Sequence, residues 1–213
     1  SAFTEAHLRG VRARGWRAAS SIAVEVGQLL RSGEKFIYAY YDGVDKIAHE
    51  RGFGSFYEAE LSSADGIVRK IQETLTPGAV LIVTADHGQV MVGTNTMPPH
   101  PEVMAMVAYQ SGEGRFRWLH ARDGVQVELL ARATAHHSGV AWVASKEQVI
   151  DENWLGPRLG SATRKRLGDV VLVPREPISF DDAADTGPFI LQCRHGALTD
   201  DELDVPLLAT AVQ

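Results

Sequence analysis

The chain has 213 residues, 45% of them hydrophobic, which is enough to bury a real core in one large domain or in a core plus an insertion. A formal charge of -6 excludes a general nucleic-acid binder, because phosphate-backbone affinity needs a basic surface, and the one basic run (Arg9, Arg12, Arg14, Arg17) reads as a solvated arginine face. The single cysteine, Cys193, excludes an internal disulfide framework, and no apolar stretch approaches the roughly 20 residues that cross a bilayer.

In chain order, Ile22, Val26, Leu29 and Leu30 recur at helical spacing and predict a helix over Ala18–Leu30, stopped by Ser32-Gly33. Phe36–Tyr41, FIYAYY, is a near-continuous β-branched and aromatic run that predicts a strand covered on both faces. Asp42 and Gly43 then open a loop carrying Asp45 and His49; Asp42 itself is explained by the turn. Leu61, Ala64, Ile67, Val68, Ile71 and Leu75 mark an amphipathic helix, and Pro77-Gly78 turns the chain into AVLIVTA, a second buried strand that ends at Asp86 and His87. Strand, helix, strand is the βαβ unit of a parallel sheet.

From about Glu102 the pattern shortens. Strand-like pieces at 116–120, 140–145 and 170–173 alternate with helical ones at 125–135 and 146–152, between the turn-rich segments MPPHP and PREP with FDDAADTGP. After Pro188 come FILQC, a loop with His195, and the apolar VPLLATAV. The expected organisation is a core α/β part over residues 1–101, an inserted αβ cap over 102–180, and a return to the core over 181–213. Cys193 lies in an apolar run and reads as a buried, inert thiol, which fits a reducing compartment and a cytoplasmic location.

Asp45, His49, Asp86, His87 and His195 each follow an apolar strand, and in an open α/β sheet ligands collect at that carboxyl edge. Carboxylates and imidazoles delivered rigidly to one edge are the donors a divalent cation needs, so the pattern points to a metallohydrolase. Gly88 gives the backbone the freedom to turn both Asp86 and His87 toward one ion. Of the other histidines, His136 and His137 read as structural, closing a helix where terminal carbonyls favour a cation, and His7, His100 and His120, with no ligand-spaced partner, read as surface or loop residues.

The order and spacing of YDGVDKIAH, TADHG and RHGALTDDELDVPLL resemble the alkaline phosphatase superfamily, and within it the type I phosphodiesterases/nucleotide pyrophosphatases. The resemblance implies an α/β fold, a partial alkaline-phosphatase-like α/β/α sandwich with an inserted αβ cap subdomain. By the same resemblance Asp45, His49 and His195 fall on the first-metal positions and Asp86 and His87 on two second-metal positions. Two divalent ions are implied, with Zn2+ best suited to the donor set and Mn2+ the alternative, and with them two-metal phosphoryl transfer on a small phosphoester, nucleotides included. The family's N-terminal strand with its metal-binding Asp, and the Thr or Ser nucleophile after it, have no counterpart here. Thr4 is too early and follows no buried strand, so no catalytic nucleophile is assigned and an N-terminal part of the same protein is expected as partner. The alternatives are a catalytically silent metal-binding or interaction module, or a phosphomutase or sulfatase of the same superfamily.

Overall fold

The computed structural model describes residues 10–185, 187 and 190–212; Thr4, His7, Arg9, Pro188 and Phe189 lie outside the described residues. The chain divides into two compact units, one of Ser1–Val44, Glu58–Val83 and Leu208–Gln213, the other of Asp45–Tyr57 and Thr84–Leu207.

In the first unit the apolar spacing forms helix α1 (Ile22–Arg31), entered through a 3-10 turn at Ala19–Ser21. Its buried Ile22, Ala23 and Val26 meet Ile71, with Ile37, Tyr41, Ile67 and Leu81 packed around them. The arginine run pairs with acids of the same unit, Arg12 with Glu34 and Arg14 with Glu25. Phe36–Tyr41 departs from expectation: it has no regular secondary structure and joins no strand ladder among the described residues. Ile37 and Tyr41 turn inward, Phe36 is 85% exposed, and Tyr38 and Tyr40 stack on each other outside, 6.4 Å between centroids. A continuous apolar run encodes that two faces should be covered; it does not encode which backbone pairs with it, and here only one face is packed. Strand β1 (Val80–Thr84) likewise has one covered face, with Leu81 in the core and Val80 and Ile82 exposed; its partner is β10 (Leu207–Ala211). The anticipated βαβ unit is therefore an irregular segment, two helices and a strand.

The first of those helices, α2 (Gly43–Arg51), replaces the loop expected around Asp45 and His49. No proline interrupts GVDKIAHER, and the fully buried Ala48 anchors its inner face. Helix α3 (Ser55–Gln72) contains most of the predicted amphipathic run.

The second unit is built on an antiparallel four-stranded sheet in the order β4 (Val107–Glu113), β5 (Phe116–Ala121), β7 (Val170–Pro174), β6 (Ala141–Ser145). Three of these strands match the sequence reading. The fourth, β4, escaped it because VAYQSGE is polar and mostly uncovered. Helices α4 (Pro101–Met104), α5 (Gln126–His137), α6 (Lys146–Asp151) and α7 (Ser161–Arg164) flank the sheet in sequence. Strand β7 is buried on both faces, and its alternation serves two cores. Val170 and Leu172 join Leu119, Leu129, Ala133 and Phe180, while Val171 and Val173 join Trp118, Ala144, Val149 and Ala197. Each such buried Val or Leu contributes about 2 kcal/mol. Ala197 stands two residues past His195, so the second core also anchors the His195 loop.

Two short ladders complete the frame. Strands β2 (Val90–Met91) and β9 (Cys193–Arg194) pair antiparallel, Val90 opposite Arg194 and Met91 opposite Cys193; β3 (Thr96–Met97) and β8 (Ser179–Phe180) pair in parallel. No helix among the described residues is long and apolar enough to cross a membrane.

Candidate metal centre

The register of β2 with β9 dictates what meets. Residues just before Val90 and just after Arg194 leave the ladder at the same end, so the Asp86–Gln89 loop and the His195 loop are brought together. Helix α2 is tied to the same point, since the Gln192 N–H donates to the His49 carbonyl at 2.7 Å. At the end of α2, Gly52 has φ 71° and a Cβ there would lie 2.4 Å from the Met91 methyl carbon, so this turn excludes larger residues.

Asp45 and His49, four residues apart, share one helix face. Asp45 Oδ1 lies 3.2 Å from His49 Nε2 and 3.8 Å from His195 Nε2, and the ligand atoms of these three residues all lie within 4.8 Å of one another. The His195 ring stacks on that of His87, 3.5 Å between centroids at 13°. Asp86 stays beside His87, its Oδ1 3.7 Å from Nε2, with an exposed side chain outside the three-residue group.

The tautomers follow from the carbonyls. His49 Nδ1 is 2.7 Å from the Cys193 carbonyl oxygen and His87 Nδ1 is 3.0 Å from that of Gly88; a carbonyl only accepts, so both Nδ1 atoms donate and both neutral rings keep their lone pair on Nε2. At His49 that lone pair faces the Asp45 carboxylate, an arrangement that holds together only with positive charge between them. The directions of the pKa shifts agree. The hydrogen bond to Asp45 raises the His49 pKa against the opposing effect of burial. Burial pushes Asp45 upward, but the hydrogen bond and charge of His49, with His195 and His87 behind it, hold its carboxyl below the usual value. Burial lowers His195, with His87 adding to the effect, so this ring offers a lone pair rather than a proton. Gln89 donates from Nε2 to Asp45 Oδ1 at 2.8 Å while its Oε1 is buried with no hydrogen-bond partner among the described residues. A carboxylate, two imidazole nitrogens and an orphaned amide oxygen fit a divalent cation of the zinc type. Cys193 takes no part through sulfur: it is fully buried and burial pushes its thiol up to about 11.

A deeper layer went unread in the sequence. Glu202, 2% exposed in helix α8 (Asp200–Leu203), accepts from Arg115 Nε at 3.0 Å, Arg115 Nη2 at 2.5 Å, the Ala197 N–H at 2.9 Å and Thr199 Oγ1 at 2.6 Å. Its backbone carbonyl accepts from the Gly88 N–H at 2.8 Å. One residue thus fastens both the His195 loop and the Asp86–His87 loop. Gly88 is required for this approach: a Cβ there would sit 2.1 Å from the Asp201 carbonyl oxygen. The available signal was Thr199-Asp-Asp-Glu202, which has capping-box spacing. His120 also differs from expectation: it is 8% exposed on β5, stacked on Tyr109 and 2.8 Å from Ser111 Oγ.

The sequence model of the family described as type I phosphodiesterase/nucleotide pyrophosphatase matches residues 9–197. No curated protein matches the chain. Among solved structures, phosphonoacetate hydrolase from Sinorhizobium meliloti 1021, in complex with phosphonoformate, aligns at TM-score 0.68 and 18% identity over 98% of this chain and 54% of that one. Human ectonucleotide pyrophosphatase/phosphodiesterase 5 aligns at 0.65 and 15% over 93% of this chain and 54% of that one. An inactive form of the murine counterpart, in complex with AMP, aligns at 0.64 and 14% over the same shares, 93% and 54%. At these identities the likeness is one of fold, and this chain spans about half the length of each.

Proposed function

The chain belongs to the type I phosphodiesterase/nucleotide pyrophosphatase family, and on that premise we propose that it carries the metal-ligand half of a metal-dependent phosphoric ester hydrolase. The observation that carries this reading is the convergence of Asp45 Oδ1 with His49 Nε2 and His195 Nε2, two imidazole nitrogens against one carboxylate. Asp45, His49 and His195 hold one divalent cation, best zinc and otherwise manganese; His87, stacked on His195, and Asp86 supply part of a second position. Cations bound there supply charge stabilisation to the phosphoryl oxygens in an in-line displacement.

The residues themselves do the positioning. The Cys193 carbonyl fixes the His49 ring, Gln89 holds Asp45 by its near oxygen, and the Arg115–Glu202 pair sets the two remaining loops. Because the chain spans 54% of the hydrolase and phosphodiesterase chains it aligns with, the nucleophilic Thr or Ser is assigned to polypeptide outside these residues. The substrate class is a small phosphoester, with nucleotides as the first to test.

The experiment is hydrolysis of a chromogenic phosphodiester, with zinc or manganese, by a protein joining this chain to its N-terminal part. Turnover is expected, with loss on His49→Ala or His195→Ala. Unchanged turnover in both variants would overturn the reading.

A further inference from the structure

A second cluster with the same signature stands apart from the centre just described. His100 and His136 stack with ring centroids 3.6 Å apart at 9°, much as His87 and His195 do, and Glu102 lies at their edge with Oε2 3.3 Å from His136 Nε2. One ligand atom from each of His100, Glu102 and His136 lies within 4.8 Å of the others. We propose that His100, Glu102 and His136 form a separate site for a divalent transition cation, zinc or nickel in character, which staples the 101–104 helix to the end of the 126–137 helix.

Three features favour a cation over a plain surface network. First, the two stacked imidazoles and the carboxylate bring three ligand atoms within 4.8 Å of one another, the donor types a divalent transition cation takes. His100 Nδ1 gives up little to bind it, since it accepts only a long 3.3 Å bond from the Glu102 N–H. Second, His136 lies in the last turn of α5, where the last carbonyls of a twelve-residue helix favour positive charge. Third, the segment is held in place from beneath. The His100 N–H donates to Nε2 of the buried His137 at 3.1 Å, which fixes that ring nitrogen as an acceptor and ties the segment to the helix beneath it. Arg132 is the competitor. Its Nη1 donates to Glu102 Oε2 at 3.0 Å, the same oxygen that faces His136, which leaves Oε1 for the cation.

The test separates this site from the first by working in His195→Ala, where the Asp45 centre has lost a ligand. Zinc is titrated against a chromophoric chelator, and melting is followed with and without zinc. One zinc equivalent per chain and a zinc-dependent rise in Tm are expected in His195→Ala. Both should vanish in His195→Ala/His136→Ala, and zinc affinity should drop at least about tenfold in His195→Ala/Glu102→Gln. All three side chains sit at or near the surface, and circular dichroism checks that each variant folds. No zinc equivalent in His195→Ala, or an equivalent that survives both added substitutions, would overturn the proposal.

Discussion

Glu202→Gln is the substitution whose consequences can be worked out furthest. The carboxylate fills its lone pairs with four donors, two from Arg115, one from Ala197 and one from Thr199, and both partners of the ion pair are buried. A glutamine amide has one oxygen and one NH2 in the same space, so two of those donors would face another donor and Arg115 would keep its charge without a counter-ion. Breaking a buried pair from one side costs about 3 to 5 kcal/mol. At roughly 2 to 4 °C per kcal/mol for a chain of this size, that is a fall of about 10 °C in Tm. The damage is expected to be local before it is global. Amide exchange should accelerate first at Ala197 and Gly88, and zinc affinity should fall about 10- to 100-fold, as it does when partners orienting metal ligands are lost. Arg115→Met should cost a similar amount, and the double variant should cost less than the sum of the singles because neither leaves a lone buried charge behind. Additive stability losses, or Glu202→Gln with unchanged exchange at Ala197 and unchanged zinc affinity, would refute the view that this pair sets the metal loops.

Other tests follow the same geometry. His49→Ala and His195→Ala, each made in a His136→Ala background so that only the Asp45 centre is read, remove one of three converging donors and should weaken zinc by more than about 100-fold in chelator competition, since even outer partners are worth 10- to 100-fold; near-native affinity in either would separate the cluster from metal binding. Gly88→Ala places a Cβ 2.1 Å from the Asp201 carbonyl oxygen, so the loop must move, at about 1 to 3 kcal/mol by urea denaturation and with loss of zinc; a silent substitution would mean the loop is not docked there. Burial pushes the Glu202 pKa up, but hydrogen bonds from Arg115, Thr199 and Ala197 lower it overall, so its stabilisation is present above the ordinary value of 4.5 and lost as pH falls below it. Urea midpoints should drop across that acid window in the native chain and less steeply in Glu202→Gln. Deleting 102–180 removes Arg115 and strands Glu202, so zinc affinity should fall along with any change in substrate choice, and a deletion that retains zinc would contradict the clamp.

What the sequence revealed depends on where each pattern finds its partners. Val170–Val173 reads as a doubly covered strand and is one, because both covering layers come from residues 103–197 and the alternation is complete within the unit. FIYAYY carries the same signal and forms no ladder among the described residues, since hydropathy specifies burial while pairing is a property of the neighbouring backbone. The Asp45–His49 spacing was informative for a reason that a loop assignment hid, namely that positions four apart share a helical face. His195 was read from its place after the apolar FILQC and from the resemblance, while the two-residue ladder that delivers it is too short to leave any periodic trace.

The residues that went unseen are charged ones used from inside. Glu202 sits in TDDELD, where an acidic run reads as a solvated turn, and Arg115 begins RFRW, where a strand of alternating basic and aromatic residues reads as half exposed. In the fold both are buried, because the bidentate arginine and the glutamate pair with each other and find their remaining partners in the Glu176 and Ile178 carbonyls, the Ala197 N–H and the Thr199 hydroxyl, and so can be taken out of water together. Charge pattern reports the cost of burial but not the partner that offsets it, and partners 87 residues apart are invisible to any local window. The same holds for His100 and His136, each unremarkable alone and stacked at 3.6 Å once α4 and α5 are in place. The candidate metal ligands are tied by such long-range polar pairs as well as by the core around Ala197, so rigidity of the centre should depend on pH and on single charge-removing substitutions more steeply than the stability of the β7 core does.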